Sequence, residues 1–189
     1  MIEVERNFLK GRDMMLRKMN ETEFDTIFSI METSFPIDEY RPYDEQRALL
    51  QDTRYCIYVF ADSDSGAPKG FIAVWQFDDF SFIEHFAVNP VYRNQGLGAS
   101  ILQEISRLSG CQLCLEVELP QTDFAKRRIA FYKRNGFFLN EYPYMQPPIS
   151  KGRQPIPLLI MTSEDIISEA RFEEMKKTVY REVYKAQSL

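Results

Sequence analysis

The chain has 189 residues, 44% of them hydrophobic, 14% aromatic and 27% charged, a balance that suits one self-sufficient core and excludes a disordered or low-complexity protein. A formal net charge of −5 argues against a nucleic-acid partner, whose binding depends on neutralising phosphates with Lys and Arg, and it makes a cationic substrate easier to attract. The sequence has no run of about 18 apolar residues and no signal-peptide core near Met1, so a cytoplasmic protein with no membrane partner is expected.

Residues 1–13 carry mixed charge without a period and are read as an N-terminal extension. The run from Met14 to Met19 predicts a short strand. Asn20 and Glu23 then form a helix-capping pair ahead of the apolar positions Phe24, Ile27, Phe28 and Met31, a helix that should stop near Pro36. An aromatic and acidic loop with two prolines leads to a second short helix, Asp44 to about Asp52. Two strands follow, 54–61 and 69–77, joined by a turn rich in Asp, Ser and Gly, so they should form a hairpin. A third strand, Phe82 to Val88, runs into a glycine loop. The helix after the loop puts Leu97, Ile101, Ile105 and Leu108 on one face and ends at Gly110. Then come a strand over 111–119, a helix capped by Thr122 and running to Gly136, two strands at 137–142 and 157–162, and a charged helix from Ser163 with an apolar stripe at Phe172, Met175, Val179 and Val183. The order is βααβββαβαββα, a single α/β (α+β) unit. The last helix should dock on the domain or on a second copy of the chain, as in a homodimer.

The three cysteines, Cys56, Cys111 and Cys114, lie in apolar strand-like runs and suit buried free thiols. Cys111 and Cys114 form a C-x-x-C, but neither a helix N-terminus nor a second ligand pair accompanies it, so no metal site is expected.

The loop Arg93-Asn94-Gln95-Gly96-Leu97-Gly98 stands between a strand and a helix, where glycines let backbone approach an anion and the first helical N–H groups point at it. A pyrophosphate fits such a mouth, although two glycines alone are equally compatible with a tight turn. A Walker loop would need Lys and then Ser or Thr after the last glycine, and a dinucleotide fingerprint would need a small residue where Ile101 stands.

The run from Ala87 to Leu102, with its Arg-x-x-Gly-x-Gly core, resembles the acetyl-CoA-binding motif of the GNAT superfamily of N-acetyltransferases. The strand Leu115 to Leu119 and the helix ending Ala130-Phe131-Tyr132-Lys133-Arg134-Asn135-Gly136-Phe137 resemble that superfamily's next strand and helix. The resemblance implies a mixed, mostly antiparallel sheet flanked by helices and splayed at the acyl-CoA site. It implies an acyltransferase domain over residues 14–162, followed by a C-terminal amphipathic helix over 163–189. It also implies acetyl-CoA as the acyl donor, no metal, and a primary amine of a small molecule or peptide as the acceptor, attacked directly in a ternary complex. Phe86, Ala87 and Val88 would pair with the pantetheine arm, and Arg93, Asn94, Gln95, Gly96, Leu97, Gly98, Ala99 and Ser100 would surround the pyrophosphate. Members of the superfamily often carry an Asn seven residues before the Tyr. Here that position is Ala125, so the contact is expected to be absent or to be replaced by Arg127 or Arg128.

Acyl transfer to an amine needs a proton acceptor, an oxyanion donor and a proton for the departing thiolate. By strand alternation Glu84 should share the face of Val88 at the cleft and point opposite to His85. The resemblance makes Glu84 the proton acceptor, directly or through water, against the plainer reading of a charged strand residue. His85, pointing away, is expected to be structural. Tyr132 would be a core tyrosine by helical spacing alone, and the resemblance makes it the general acid. Asp38, Glu39, Tyr40 and Tyr43 lie in the loop that resembles the acceptor wall, where acidic and aromatic groups suit a cation. Two other readings are open: a non-catalytic sensor of CoA or acyl-CoA, and an interaction protein working through its C-terminal helix.

Overall fold

The computed structural model describes residues 14–62 and 66–186, so the expected N-terminal extension lies outside the described residues. Apolar runs with turn residues between them become strands β1 (Met14–Lys18), β2 (Tyr55–Asp62), β3 (Pro68–Gln76), β4 (Phe80–Val88), β5 (Gln112–Glu118), β6 (Phe137–Gln146) and β7 (Ile156–Ser163). Periodic stretches become helices α1 (Phe24–Ser34), α2 (Tyr43–Ala48), α3 (Leu97–Ser109), α4 (Asp123–Arg134) and α5 (Glu169–Glu182). The order along the chain is the expected one.

Local chemistry sets the boundaries. The Asn20–Glu23 capping box forms, with Glu23 Oε2 accepting from Asn20 N at 2.9 Å. Thr122 Oγ1 accepts from Ala125 N at 3.1 Å at the start of α4, and Gly110 ends α3 with φ +63°. The last helix begins at Glu169, capped by Ser168, and not at Ser163, because Ser163 still belongs to β7. Pro143 is tolerated inside β6 because that strand is an edge and its pairing with β7 shifts between Asn140 and Tyr144.

The strands form one sheet in the order β1-β2-β3-β4-β5-β7-β6, antiparallel throughout except for the parallel pair β4 and β5. Alternation along β2 sends Ile57, Val59 and Ala61 to one face and Tyr58 and Phe60 to the other. On the first face the sheet packs against α1 and α5, with Phe24, Ile27, Met31, Phe172, Met175 and Val179 buried. On the second it packs against α3 and α4, with Leu97, Ile101, Ile105, Ile129 and Tyr132 buried. The C-terminal helix therefore docks on its own domain. Its apolar stripe fills the first core, which leaves that stripe no free surface for a partner.

The register between β3 and β4 slips by one residue: Ala73 faces His85 while Val74 faces Ile83, so Glu84 is the extra residue of a β-bulge. Phe82 lies on the first face and Ile83 on the second. Past the bulge Ala87 lies on the first and Phe86 and Val88 pack on the second. The expectation that Glu84 shares the face of Val88 and opposes His85 is thereby corrected.

Candidate functional site

Parallel pairing of β4 with β5 ends at Ile83 and Leu115. Beyond those residues the strands diverge, β4 carrying Glu84 to Val88 along one side of the gap and β5 carrying Glu116 to Glu118 along the other. The gap widens into a cleft of about 920 Å³ that runs from the α3–α4 face through the sheet to the α1–α5 face. Backbone polar groups on β4 that lack a strand partner can pair with an extended ligand, as an added strand would.

One mouth of the cleft is cationic. Asn89 Oδ1 accepts from Val91 N at 3.2 Å, and Arg93 Nε donates to Val88 O at 2.9 Å, folding the loop back onto the end of β4. Asn94 and Gly96 take positive φ, +61° and +80°, which turns the chain into α3. The first N–H groups of α3 face the cleft with no carbonyl four residues back to occupy them. A Cβ on Gly98 would stand 3.1 Å from the ring edge of Phe131, so the backbone there is closely covered. Arg93, Arg127 and Arg128 add charge to the same mouth, and Arg128 also lies over the Phe124 ring at 4.7 Å and pairs with Glu118 at 2.8 Å. This cradle fits a diphosphate with an extended arm.

The other face is acidic. Glu84 Oε1 takes a 2.6 Å bond from Arg41 Nη1, and both side chains are almost wholly buried. Burial alone would raise the Glu84 carboxyl, but the Arg41 guanidinium and the neighbouring His85 hold it well below the usual carboxylate range. Arg41 also donates to Val183 O at 2.9 Å. His85, 1% exposed, bonds Glu39 O through Nε2 at 2.9 Å, sits edge-on to Phe35, and brings Nδ1 to 3.6 Å from Glu84 Oε2. Glu84 and His85 thus meet, where strand alternation had set them apart. Burial, reinforced by Glu118, pushes the Glu39 carboxyl up.

Glu116 on β5 reaches the same face. Burial pushes its carboxyl up to about 7, against the pull of two phenol hydroxyls, with Glu84 and Glu39 adding to the rise. Tyr144 donates to its Oε1, and Tyr184 donates to its Oε2 at 2.7 Å. Tyr132 lines the second-face side of the cleft, its ring edge-on to Phe131 and Phe137. Its hydroxyl makes no hydrogen bond to a described residue, and burial, eased by Arg128, pushes it up to about 12, so it holds its proton.

The expected residues are distributed unevenly. Glu84, Tyr132, Phe86, Ala87, Val88, Arg93, Asn94, Gly96, Leu97, Gly98, Ala99 and Arg128 line the cleft. Ser100 turns its hydroxyl back to Gly96 O at 3.4 Å, within the first turn of α3, and Gln95 is an exposed residue of the loop. Of the expected acceptor wall, Glu39 lines the cleft. Asp38 instead binds Gln154 N at 3.0 Å. Tyr40 packs on Phe28, and Tyr43 is engaged with Asp25 and Arg47 beside Phe24, away from the gap. Sequence reasoning missed Glu116, Arg41, Tyr144 and Tyr184. The one signal for Glu116 was a charge inside the apolar run 113–119, on the face that Cys114 shares. Among the described residues no group of three or more His, Cys, Asp or Glu side chains could hold a metal ion, and no helix is long and apolar enough to cross a membrane.

Comparison with known proteins agrees with this geometry. A family model for the acetyltransferase (GNAT) domain matches residues 53–138. The chain is 32% identical over 106 residues to YjbC of Bacillus subtilis (strain 168), a candidate acetyltransferase. The match covers 54% of the chain and 52% of YjbC, so the chain spans about half the length of this curated relative. A candidate GNAT acetyltransferase from Bacteroides thetaiotaomicron is 31% identical and superposes with a TM-score of 0.84, over 92% of this chain and 99% of that one. A variant of the spermidine N-acetyltransferase SpeG from Vibrio cholerae shares the fold at 14% identity and a TM-score of 0.60, over 79% of this chain and 92% of that one. The splayed sheet, the glycine loop at the mouth of α3 and these similarities together say that the chain belongs to the GNAT family of acetyltransferases.

Proposed function

We propose that the protein transfers an acetyl group from acetyl-CoA to a primary amine by direct attack in a ternary complex. The observation that carries this reading is the cleft through the sheet, with anion-binding groups on one face and a buried, high-lying carboxylate on the other. Acetyl-CoA would lie with its diphosphate at the amides of Leu97, Gly98 and Ala99 and at Arg93, its pantetheine arm along Phe86 to Val88, and Arg127 or Arg128 standing in for the Asn that Ala125 replaces. The acceptor would enter from the α1–α5 face, past Glu39. The carboxylates there favour an amine that arrives as a cation.

In this reading a C–N bond forms as the C–S bond breaks. Glu116 takes the proton that the amine gives up, directly or through a water. A carboxylate titrating near 7 suits that task, whereas Glu84, locked to Arg41, is too weak a base. Glu84 is a positioning residue. Tyr132 donates its proton to the departing sulfur from the opposite side, and its high-lying hydroxyl keeps that proton available.

The test is calorimetric binding of acetyl-CoA, followed by turnover against a panel comprising spermidine, small primary amines and peptides with a free N-terminus. Micromolar binding and acetylation of a cationic amine are expected. A folded protein that binds no CoA thioester would overturn the donor assignment, and one that binds acetyl-CoA and acetylates no member of the panel would leave a sensor.

A further inference from the structure

We infer that the C-terminal segment completes the active site: Tyr184, with Tyr144 of β6, is a positioning residue that clamps both oxygens of the Glu116 carboxylate from the acceptor face. This rests on the reading of Glu116 as the proton acceptor. Both tyrosines lie outside residues 53–138, the part of the chain that matches the family model. The clamp is therefore supplied by the later half of β6 and by the segment after α5.

The clamp is rigid on each side. Tyr144 is buried, with Phe172 and Tyr180 edge-on to its ring at 6.3 and 5.7 Å. Tyr184 sits just past the end of α5, where its own N–H and that of Val183 both reach Val179 O, at 3.2 and 2.9 Å. Arg41 holds the same turn through Val183 O at 2.9 Å. The α5 anchors Phe172, Met175 and Val179 fix the helix on the sheet, so the Tyr184 hydroxyl has little freedom to leave. With one donor on each oxygen the carboxylate cannot rotate. A carboxylate has about four lone-pair sites, so two are left to receive a proton from the cleft.

The sign of the effect follows from which form the hydroxyls bind. Both phenols are pushed well above their ordinary range by burial and by Glu116, so both stay protonated and donate to the ionised carboxylate, favouring it. Against them stand burial and the charges of Glu84 on β4 and Glu39 before α2. Cys114 on β5 and Tyr180 on α5 face Glu116 as neutral groups, and Arg41 faces Tyr184. Removing one donor must move the carboxylate's titration to higher pH. An upward move of about one unit, a tenfold change in the ratio of ionised to neutral carboxyl, is expected.

The experiment is a pH titration of the full chain labelled with δ-¹³C-glutamate, with the Glu116 resonance assigned by its loss in Glu116→Gln. A midpoint near 7 is expected in the wild type, rising by about one unit in Tyr184→Phe and also in Tyr144→Phe. Unmoved midpoints in the folded variants would overturn the clamp while leaving Glu116 as proton acceptor. If Tyr184→Phe fails to fold, Tyr144→Phe carries the test. A second arm follows acetyl transfer to the fastest amine of the panel against pH. Its acid limb should move up with the midpoint, costing each variant about tenfold more in rate well below pH 7 than at pH 9. A midpoint that moves beneath an unmoved acid limb would overturn the reading of Glu116 as proton acceptor, and the positioning role with it.

Discussion

Gly98 and Tyr132 are where a single-residue change tests the proposed cofactor face most sharply. At Gly98 even a methyl would crowd Phe131, and Gly98→Glu would also bring a carboxylate to the amides proposed to hold a diphosphate. Gly98→Glu should abolish acetyl-CoA binding by calorimetry while the protein stays folded, and unchanged affinity would contradict the cradle. Tyr132→Phe keeps the ring and removes the proton. If the hydroxyl serves the leaving sulfur, the single-turnover rate should fall by about 10² to 10⁴ with acetyl-CoA affinity unchanged. A tyrosine that merely packs, with no hydrogen bond to a described residue to lose, would change little in stability and little in rate. Both positions could be singled out in the sequence because the motifs that hold them are local, although spacing alone would have left Tyr132 a core residue. Glu116 was not. Its partners are 28 and 68 residues distant, and no local pattern announces two phenols arriving from β6 and from the end of α5.

At the level of elements, the bulge in β4 sets the geometry. One extra residue reverses the parity of every later side chain, so period-2 reasoning, valid through Phe82, put Val88 on the wrong side of Glu84. The sequence gives no sign of the bulge because no glycine marks it. Its consequence is that Glu84 meets Arg41, which in turn ties the loop before α2 to the end of α5 through Val183 O. Arg41→Met should therefore cost about 3 to 5 kcal/mol, since Glu84 is left buried and unpaired. Arg41→Met combined with Glu84→Met should recover much of that loss. Denaturant midpoints for the two single variants and the double give the coupling directly, and additive losses would contradict the tie. The helix order, the hairpin and the glycine loop were legible because caps and apolar periods are local. Which way the loop holding Asp38, Tyr40 and Tyr43 faces was not legible, because acidic and aromatic composition cannot say it; the structure engages Asp38 with Gln154 and Tyr43 with Asp25.

For the whole molecule, the two faces of the cleft carry opposite charge, and that division has a cost in stability. Glu84, held low by Arg41, contributes stability that is present above its unfolded value near 4.3 and is lost as pH falls through its lower folded value. Glu116 works in the opposite sense. Its raised folded value means that ionising it costs stability increasingly between about pH 4.3 and 7, reaching roughly 4 kcal/mol above that range. Glu116→Gln should accordingly gain stability relative to wild type on going from pH 5 to pH 8. Melting temperatures measured at both values check this, and a difference that does not change with pH would place Glu116 in an ordinary carboxylate environment. The central claim is that Glu116 accepts the amine's proton, and the most direct measurement is the pH dependence of kcat/KM for acetyl transfer in wild type and in Glu116→Gln. The account predicts an inflection near 7 in the wild type that is absent from the variant, with acetyl-CoA affinity retained. A variant that keeps both the inflection and the wild-type rate would contradict it.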